Sequence, residues 1–248
     1  NGTNEITEAY IVNEIKVDAK KPDKVKITYS ESLKDKILSG FGFSNKAVMV
    51  TLESKDSATP IEKFEYSYGD IKNQIIGKSD ITYAADGTAK AVFTIEPQFR
   101  GNVSAIAYDS VGHDSDENTD NKVVIVDSIK PGINTNLVDG KLYNKDVAAV
   151  VAIKESNFFE EDVNIKVTRK TVSSSTVQDI TSEVIEKWKD GSEADIHNMN
   201  MSFTKDGYYT VNISAKDKSD NEADTYTVSF AIDKTAPAVS VTYDNNNA

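Results

Sequence analysis

The sequence predicts an all-β protein, two antiparallel β-sandwiches joined in tandem, and three observations predict it. A hinge made of a β-branched residue, Asp, three variable residues and Pro recurs as "VDAKKP" from Val17, "VDSIKP" from Val126 and "IDKTAP" from Ile232, its prolines spaced by roughly 107 residues. Between the hinges, short runs alternate apolar and polar residues with the period of two that a half-buried strand requires. Polar Gly and Asp turns separate roughly seven such runs per interval, which is the strand density of a sandwich.

The first interval supplies "VKITY", "KAVMVTLES", "FEYSYG", "AKAVFTIEP", "VSAIAYD" and "KVVIVD" as strands. The second supplies "DVAAVVAI" from Asp146, "VNIKVTR" from Val163, and "HNMNMSF", in which Met199, Met201 and Phe203 share a face. Tyr209, Val211, Ile213 and Ala215 then alternate along one strand, and Tyr226, Val228, Phe230 and Ile232 along the next, so the two form a hairpin over "DKSDNEAD". In "ITSEVIEKWKDG", Ile180, Val184, Ile185 and Trp188 fall at helical spacing before Gly191, which predicts a short helix or a wide crossover. After the third hinge, Val239, Val241 and Tyr243 repeat the pattern of Val25, Ile27 and Tyr29. The expected division is residues 1–17 as the last strand of a preceding repeat or an N-terminal extension, 18–127 and 128–233 as two sandwiches, and 234–248 as the first strand of a following repeat or a C-terminal tail.

Composition removes several function classes. Of 248 residues, 40 are acidic and 28 basic, a formal charge of −12, and Arg100 and Arg169 are the only arginines, so nucleic acid is not an expected partner. With zero Cys there is no disulfide, thiolate metal site or cysteine nucleophile, and stability must come from core burial. No apolar run reaches the roughly 18 residues of a membrane span, so no membrane insertion is expected within the chain, and "NGTNEITEAY" lacks the blocks of a secretory signal.

The hinge and the strand endings Asp109-Ser-Val-Gly112-His113 and Asp217-Lys-Ser-Asp220-Asn221 are similar to the Val/Ile-Asp-x-x-x-Pro junction and the Asp-x-Ala-Gly-Asn turn of bacterial immunoglobulin-like (Big-type) repeats. Those repeats occur in tandem in cell-surface proteins, particularly of Gram-positive organisms. His113 stands where the family pattern has Asn, and Asp220 where it has Gly. The resemblance implies immunoglobulin-like sandwiches and a non-enzymatic segment of an extracellular, cell-surface or wall-attached protein, serving as a spacer or in cell adhesion. Its partners would be neighbouring repeats in the same chain and a host glycan or matrix protein. The alternative makes the repeats accessory carbohydrate-binding or spacer modules of a secreted carbohydrate-active enzyme, with Tyr66, Tyr68 or Trp188 offering aromatic faces to a sugar.

The residue patterns assign no catalytic, cofactor-binding or metal site. Asp109, Asp114, Asp116, Glu117 and Asp120, with their counterparts Asp217, Asp220, Glu222 and Asp224, lack EF-hand spacing, and turn chemistry is the expected role for them, with calcium binding as the alternative. Asp18, Asp127 and Asp233 precede the hinge prolines and are expected to cap a strand end while Pro stiffens the start of the next domain. His113 and His197 fall in different repeats, Glu160 and Glu161 are sequence neighbours rather than facing acids, and Trp188 is expected to be a packing residue.

Overall fold

Alternating side chains can bury one face of a strand only if a second sheet covers that face, and both intervals meet this condition in the same way. The computed structural model describes residues 17–35 and 40–243, so the strand expected over 1–17 lies, but for Val17, outside the described residues. The chain divides into two compact units, Asn1–Val126 and Asp127–Ala248.

In the first unit the main strands are β1 (Lys26–Tyr29), β2 (Phe41–Ser44), β3 (Val48–Ser54), β4 (Ile61–Tyr68), β5 (Ile71–Gly77), β6 (Ala89–Ile95), β7 (Val103–Asp109) and β8 (Val123–Val126). One sheet runs β1-β3-β6 and ends on the short strand Thr82–Tyr83, all antiparallel. Opposite it, β4 lies between β7 and β5. The last strand, β8, pairs in parallel with β2 and antiparallel with Phe99–Gly101, the run that leads into β7.

The second unit repeats this order with β9 (Gly132–Thr135), β10 (Leu142–Tyr143), β11 (Val147–Lys154), β12 (Val163–Lys170), β13 (Ile185–Asp190), β14 (Ile196–Phe203), β15 (Gly207–Ala215) and β16 (Tyr226–Ile232). Its sheets are β9-β11-β14-β13 and β10-β16-β15-β12, the latter extended by Val177–Asp179. Again the last strand is parallel to the second, here β16 to β10 as β8 is to β2. Each unit therefore has the two-sheet strand order of an immunoglobulin-like sandwich, and the protein is an all-β tandem of such units.

The predicted inward residues form the cores. Val50, Leu52, Phe64, Ile95 and Val103 are fully buried in the first unit, as are Val151, Val167, Phe203, Val211 and Ile213 in the second. Two details refine the sequence reading. The segment after Ile180 makes one helical turn, Thr181–Val184, and then becomes β13, because Ile185 and Trp188 gain ladder partners opposite Met201 and Met199. Residues 234–243 carry no strand, and Val239, Val241 and Tyr243 are exposed, since among the described residues no sheet covers their alternating face.

The second core is closed by a tyrosine corner. Tyr209, 2% exposed, stacks on Phe230, and its hydroxyl donates to the Lys205 carbonyl four residues upstream. Gly101 stands at the matching place in the first unit, two residues before Val103 as Tyr209 is before Val211, and there Tyr66 and Tyr68 stack on Phe93 instead. Phe203→Ala is expected to cost the second unit about 3–5 kcal/mol through lost burial and a cavity. Tyr209→Phe, which removes a single hydrogen bond, is expected to cost about 1 kcal/mol. Denaturant unfolding of both variants orders the two effects, and a Tyr209→Phe loss as large as that of Phe203→Ala would refute the assignment of the aromatic core as the dominant support.

Candidate functional site

The three hinge aspartates have one local job. Asp18 Oδ1 accepts the Lys20 amide at 3.0 Å, Asp127 Oδ1 the Ile129 amide at 2.9 Å and Asp233 Oδ1 the Thr235 amide at 3.0 Å. Each closes an Asx turn that aims the chain at the following Pro, so the hinge Asp caps the turn after itself rather than the strand before it.

At the end of the β7 strand, Asp109 Oδ1 accepts the amides of Val111, Gly112 and His113 at 2.9, 2.7 and 2.8 Å, and its Oδ2 meets His113 Nδ1 at 2.9 Å. Burial raises the Asp109 carboxyl, but these donors outweigh it and hold the group below its usual value. Asp217 closes the matching loop after β15 through Asn221, whose amide reaches Oδ1 at 2.8 Å and whose Nδ2 reaches Oδ2 at 2.7 Å. The loops need one residue with positive φ, supplied by Gly112 at 100° and by Asp220 at 72°, a conformation Asp tolerates better than most side chains. This explains why Asp220 can replace the glycine of the family pattern.

The hinge and the strand end then converge. In the first unit Asp18, Asp109 and His113 each bring one ligand-type atom within 4.8 Å of the others. In the second, Asp127, Asp217 and Glu155 do the same, and all three are buried, at 7%, 5% and 6% exposure. Asn221 Nδ2 also donates to the Asp127 carbonyl at 2.7 Å, and Asn157 Nδ2 to Asp127 Oδ2 at 3.0 Å. Glu155 Oε1 accepts the Asn157 amide at 2.7 Å.

Glu155 was outside the sequence-predicted set. Eight residues after the first residue of β11, it matches Asp56, eight residues after the first residue of β3. Asp56 Oδ1 likewise caps its own loop, at the Ala58 and Thr59 amides, while Thr59 Oγ1 donates to Asp18 Oδ2 at 2.7 Å. Burial pushes the Glu155 carboxyl up to about 7, with the negative charges of Asp127, Asp217 and Asp195 adding to it. Burial also raises Asp217, against the pull of Asn221. An all-oxygen carboxylate set of this kind suits a hard cation such as Ca²⁺, which takes 6–8 oxygens and completes its shell with water.

The remaining predicted residues lie elsewhere. Asp114, Asp116, Glu117 and Asp224 are exposed, Asp116 and Asp224 pairing with Lys21 and Lys130, while Asp220 and Glu222 share Lys216. The rings of Tyr66 and Tyr68 are spent on Phe93 rather than offered to a ligand. Trp188 packs edge-on against Phe158 at 5.1 Å, and Phe158 stacks on His197 at 4.1 Å. These three, with Phe159, Glu160, Glu161 and Asp190, line an open cleft of about 540 Å³ on the second unit.

No protein-family model matches the chain. No curated protein matches it either. Among solved structures it is similar to the fibronectin(III)-like modules of Clostridium thermocellum CbhA, with 15% identity over 88% of this chain and 100% of that one at a TM-score of 0.29. It is also similar to an E-to-A variant of the titin domains I67–I69, with 12% identity over 76% of this chain and 60% of that one at a TM-score of 0.39. A third is the titin Z1Z2 pair in complex with telethonin, with 15% identity over 83% of this chain and 94% of that one at a TM-score of 0.27.

Because Asn221 joins the β15 loop to the hinge carbonyl, Asn221→Ala is expected to destabilise the second unit by about 2–4 kcal/mol, leaving buried Asp217 and the Asp127 carbonyl short of donors. Urea unfolding checks this; a loss below about 0.5 kcal/mol would mean that the loop is held by other contacts.

Proposed function

We propose that the chain is a non-enzymatic segment of an extracellular bacterial surface protein in which tandem immunoglobulin-like units act as a stalk, holding a distal region away from the cell. The observation that carries this reading is the hinge. Val126 is fully buried at the end of β8 in the first unit, and the next residue, Asp127, is tied into the second by its carboxylate and its carbonyl. A connection without free residues supports a semi-rigid array rather than beads on a flexible string. The same Asx turn at Asp18 and Asp233 supports neighbouring repeats of the same kind as its partners.

Small-angle scattering of the chain is expected to give an elongated particle. Inserting four Gly-Ser residues between Val126 and Asp127 is expected to broaden its distance distribution. A compact particle, or one that does not respond to the insertion, would refute the stalk.

The cleft around Trp188 favours one second reading, an accessory module of a carbohydrate-active enzyme or an adhesion module that holds a glycan. An aromatic wall with carboxylate acceptors at its rim is the chemistry that a sugar ring recognises. Trp188 is the protein's single Trp, so its fluorescence reports on the cleft directly. The stalk reading expects no saturable change on titrating soluble oligosaccharides. A saturable change abolished by Phe158→Ala would establish the second reading.

A further inference from the structure

We propose that the cleft beside Trp188 takes a sugar carrying a free amine, an oligosaccharide of unacetylated hexosamine, with a ring against the aromatic wall and an ammonium on the carboxylates of Glu160 and Asp190. The inference rests on the glycan reading of the same cleft and names the class of glycan.

The wall exists before any ligand arrives. Trp188 stands on β13 and Phe158 two residues before the turn Glu160–Asp162, and both pack against the second core while remaining half-buried where they line the cleft. His197 stacks on Phe158 at 4.1 Å and Trp188 meets it edge-on at 5.1 Å, so each ring is positioned by its neighbour. The volume of about 540 Å³ falls in the roughly 300–1,000 Å³ range of ligand clefts. An aromatic wall recognises the apolar face of a sugar ring but does not tell one sugar from another.

Charge supplies the discrimination. Glu160, Glu161 and Asp190 line the cleft beside a single ammonium, that of Lys189, which is committed to Glu186 at 3.2 Å. Glu161 is paired with Lys218 at 3.2 Å. Among the described residues Glu160 has neither an ion pair nor a side-chain hydrogen bond, and Asp190 meets only the His197 ring, at 3.5 Å. Both are exposed, so water solvates them while the cleft is open. A seated ligand displaces part of that water. The hydroxyls of a neutral sugar would return donors but no counter-charge, whereas an ammonium returns both, and a desolvated carboxylate gains most from the second.

The second unit already uses this recognition internally. Lys218 Nζ lies 4.9 Å from the centre of the Phe159 ring, 2.7 Å from Asp162 Oδ1 and 3.2 Å from Glu161 Oε1, an ammonium held by one aromatic face and two acids. Trp188, Glu160 and Asp190 repeat the aromatic group and the two acids, and no lysine of the described residues pairs with those acids. An amine brought by a ligand completes the set.

Fluorescence of Trp188, the single Trp, reads the test on the full chain at about pH 6, where a sugar amine is protonated. The probes are a glucosamine tetramer, its fully N-acetylated form, a glucose tetramer and tetralysine. A saturable change is expected with the glucosamine tetramer, at least about ten-fold weaker with each of the other three, and weakened as salt rises from about 0.05 to about 0.5 M. Glu160→Gln and Asp190→Asn, both at exposed positions, should each weaken it about three- to ten-fold, while Glu117→Gln, an exposed acid of the first unit, should leave it unchanged. Equal binding of the N-acetylated or glucose tetramer would overturn the amine and keep the glycan reading. Equal binding of tetralysine, or an equal loss with Glu117→Gln, would overturn the proposal in favour of general attraction to a chain of formal charge −12. No saturable change with any probe would overturn both the amine and the glycan reading and leave the stalk.

Discussion

The structure depends on one constraint: the hinge aspartate must be held where one sandwich hands the chain to the next. At Asp127 this is done three ways, by the Ile129 amide, by the Asn157 side chain and, at its carbonyl, by Asn221. Hydrogen bonds to a charged group contribute roughly 1.5–3 kcal/mol each, so releasing the hinge would cost a substantial part of a domain's stability. The hinge residue is therefore not held in the second unit by Pro131 alone. Proline restricts one φ angle, whereas the aspartate fixes the position of the backbone before it.

From that anchor the architecture of the loop end follows. Asn221 can reach the hinge because Asp217 has already folded the β15 loop around its carboxylate, and this loop exists in both units with the same backbone closure, Asp109 to His113 and Asp217 to Asn221. The units vary what sits on this frame. One places an imidazole against the strand-end aspartate, the other an amide and a third buried carboxylate. Their cores vary likewise, stacked tyrosines on Phe93 in the first and Phe203, Tyr209 and Phe230 packed around a tyrosine corner in the second. A sandwich tolerates such changes because its strand order fixes the backbone while core volume can be met by different residues.

The strands were legible because burial on one face imposes a period of two, as Met199, Met201 and Phe203 on β14 show. The hinge was legible because it recurs. The convergence of hinge and strand end was not, since Asp127 and Asp217 are distant in sequence and only the sheet pairing brings them together. Glu155 was still less visible, lying in a loop with no turn motif of its own; its match to Asp56 emerges only when β3 and β11 are aligned by their ladders. The packing of Tyr66 and Tyr68 on Phe93 was hidden for a related reason. Tyr66 and Tyr68 alternate with strand period, but which face looks inward is decided by Phe93 across the sandwich.

The contrast between the two carboxylate clusters shows how a fold resolves a conflict that its own topology creates. Bringing a hinge and a strand end together places two aspartates side by side in each unit, and like charges at this distance repel. The first unit relieves the repulsion internally, because three backbone amides and the His113 ring meet the Asp109 carboxylate and the Asp18 side remains half open to water. The second unit forgoes the imidazole, buries the cluster and adds a third acid, which deepens the conflict rather than easing it. Within the chain, the donors that offset this burial are the Asn157 amide on Glu155, the Ile129 amide and the Asn157 side chain on Asp127, and Asn221 on Asp217. Glu155 is therefore the position at which the second unit's burial works most directly against its charge, the Asn157 amide being the donor that pulls the other way.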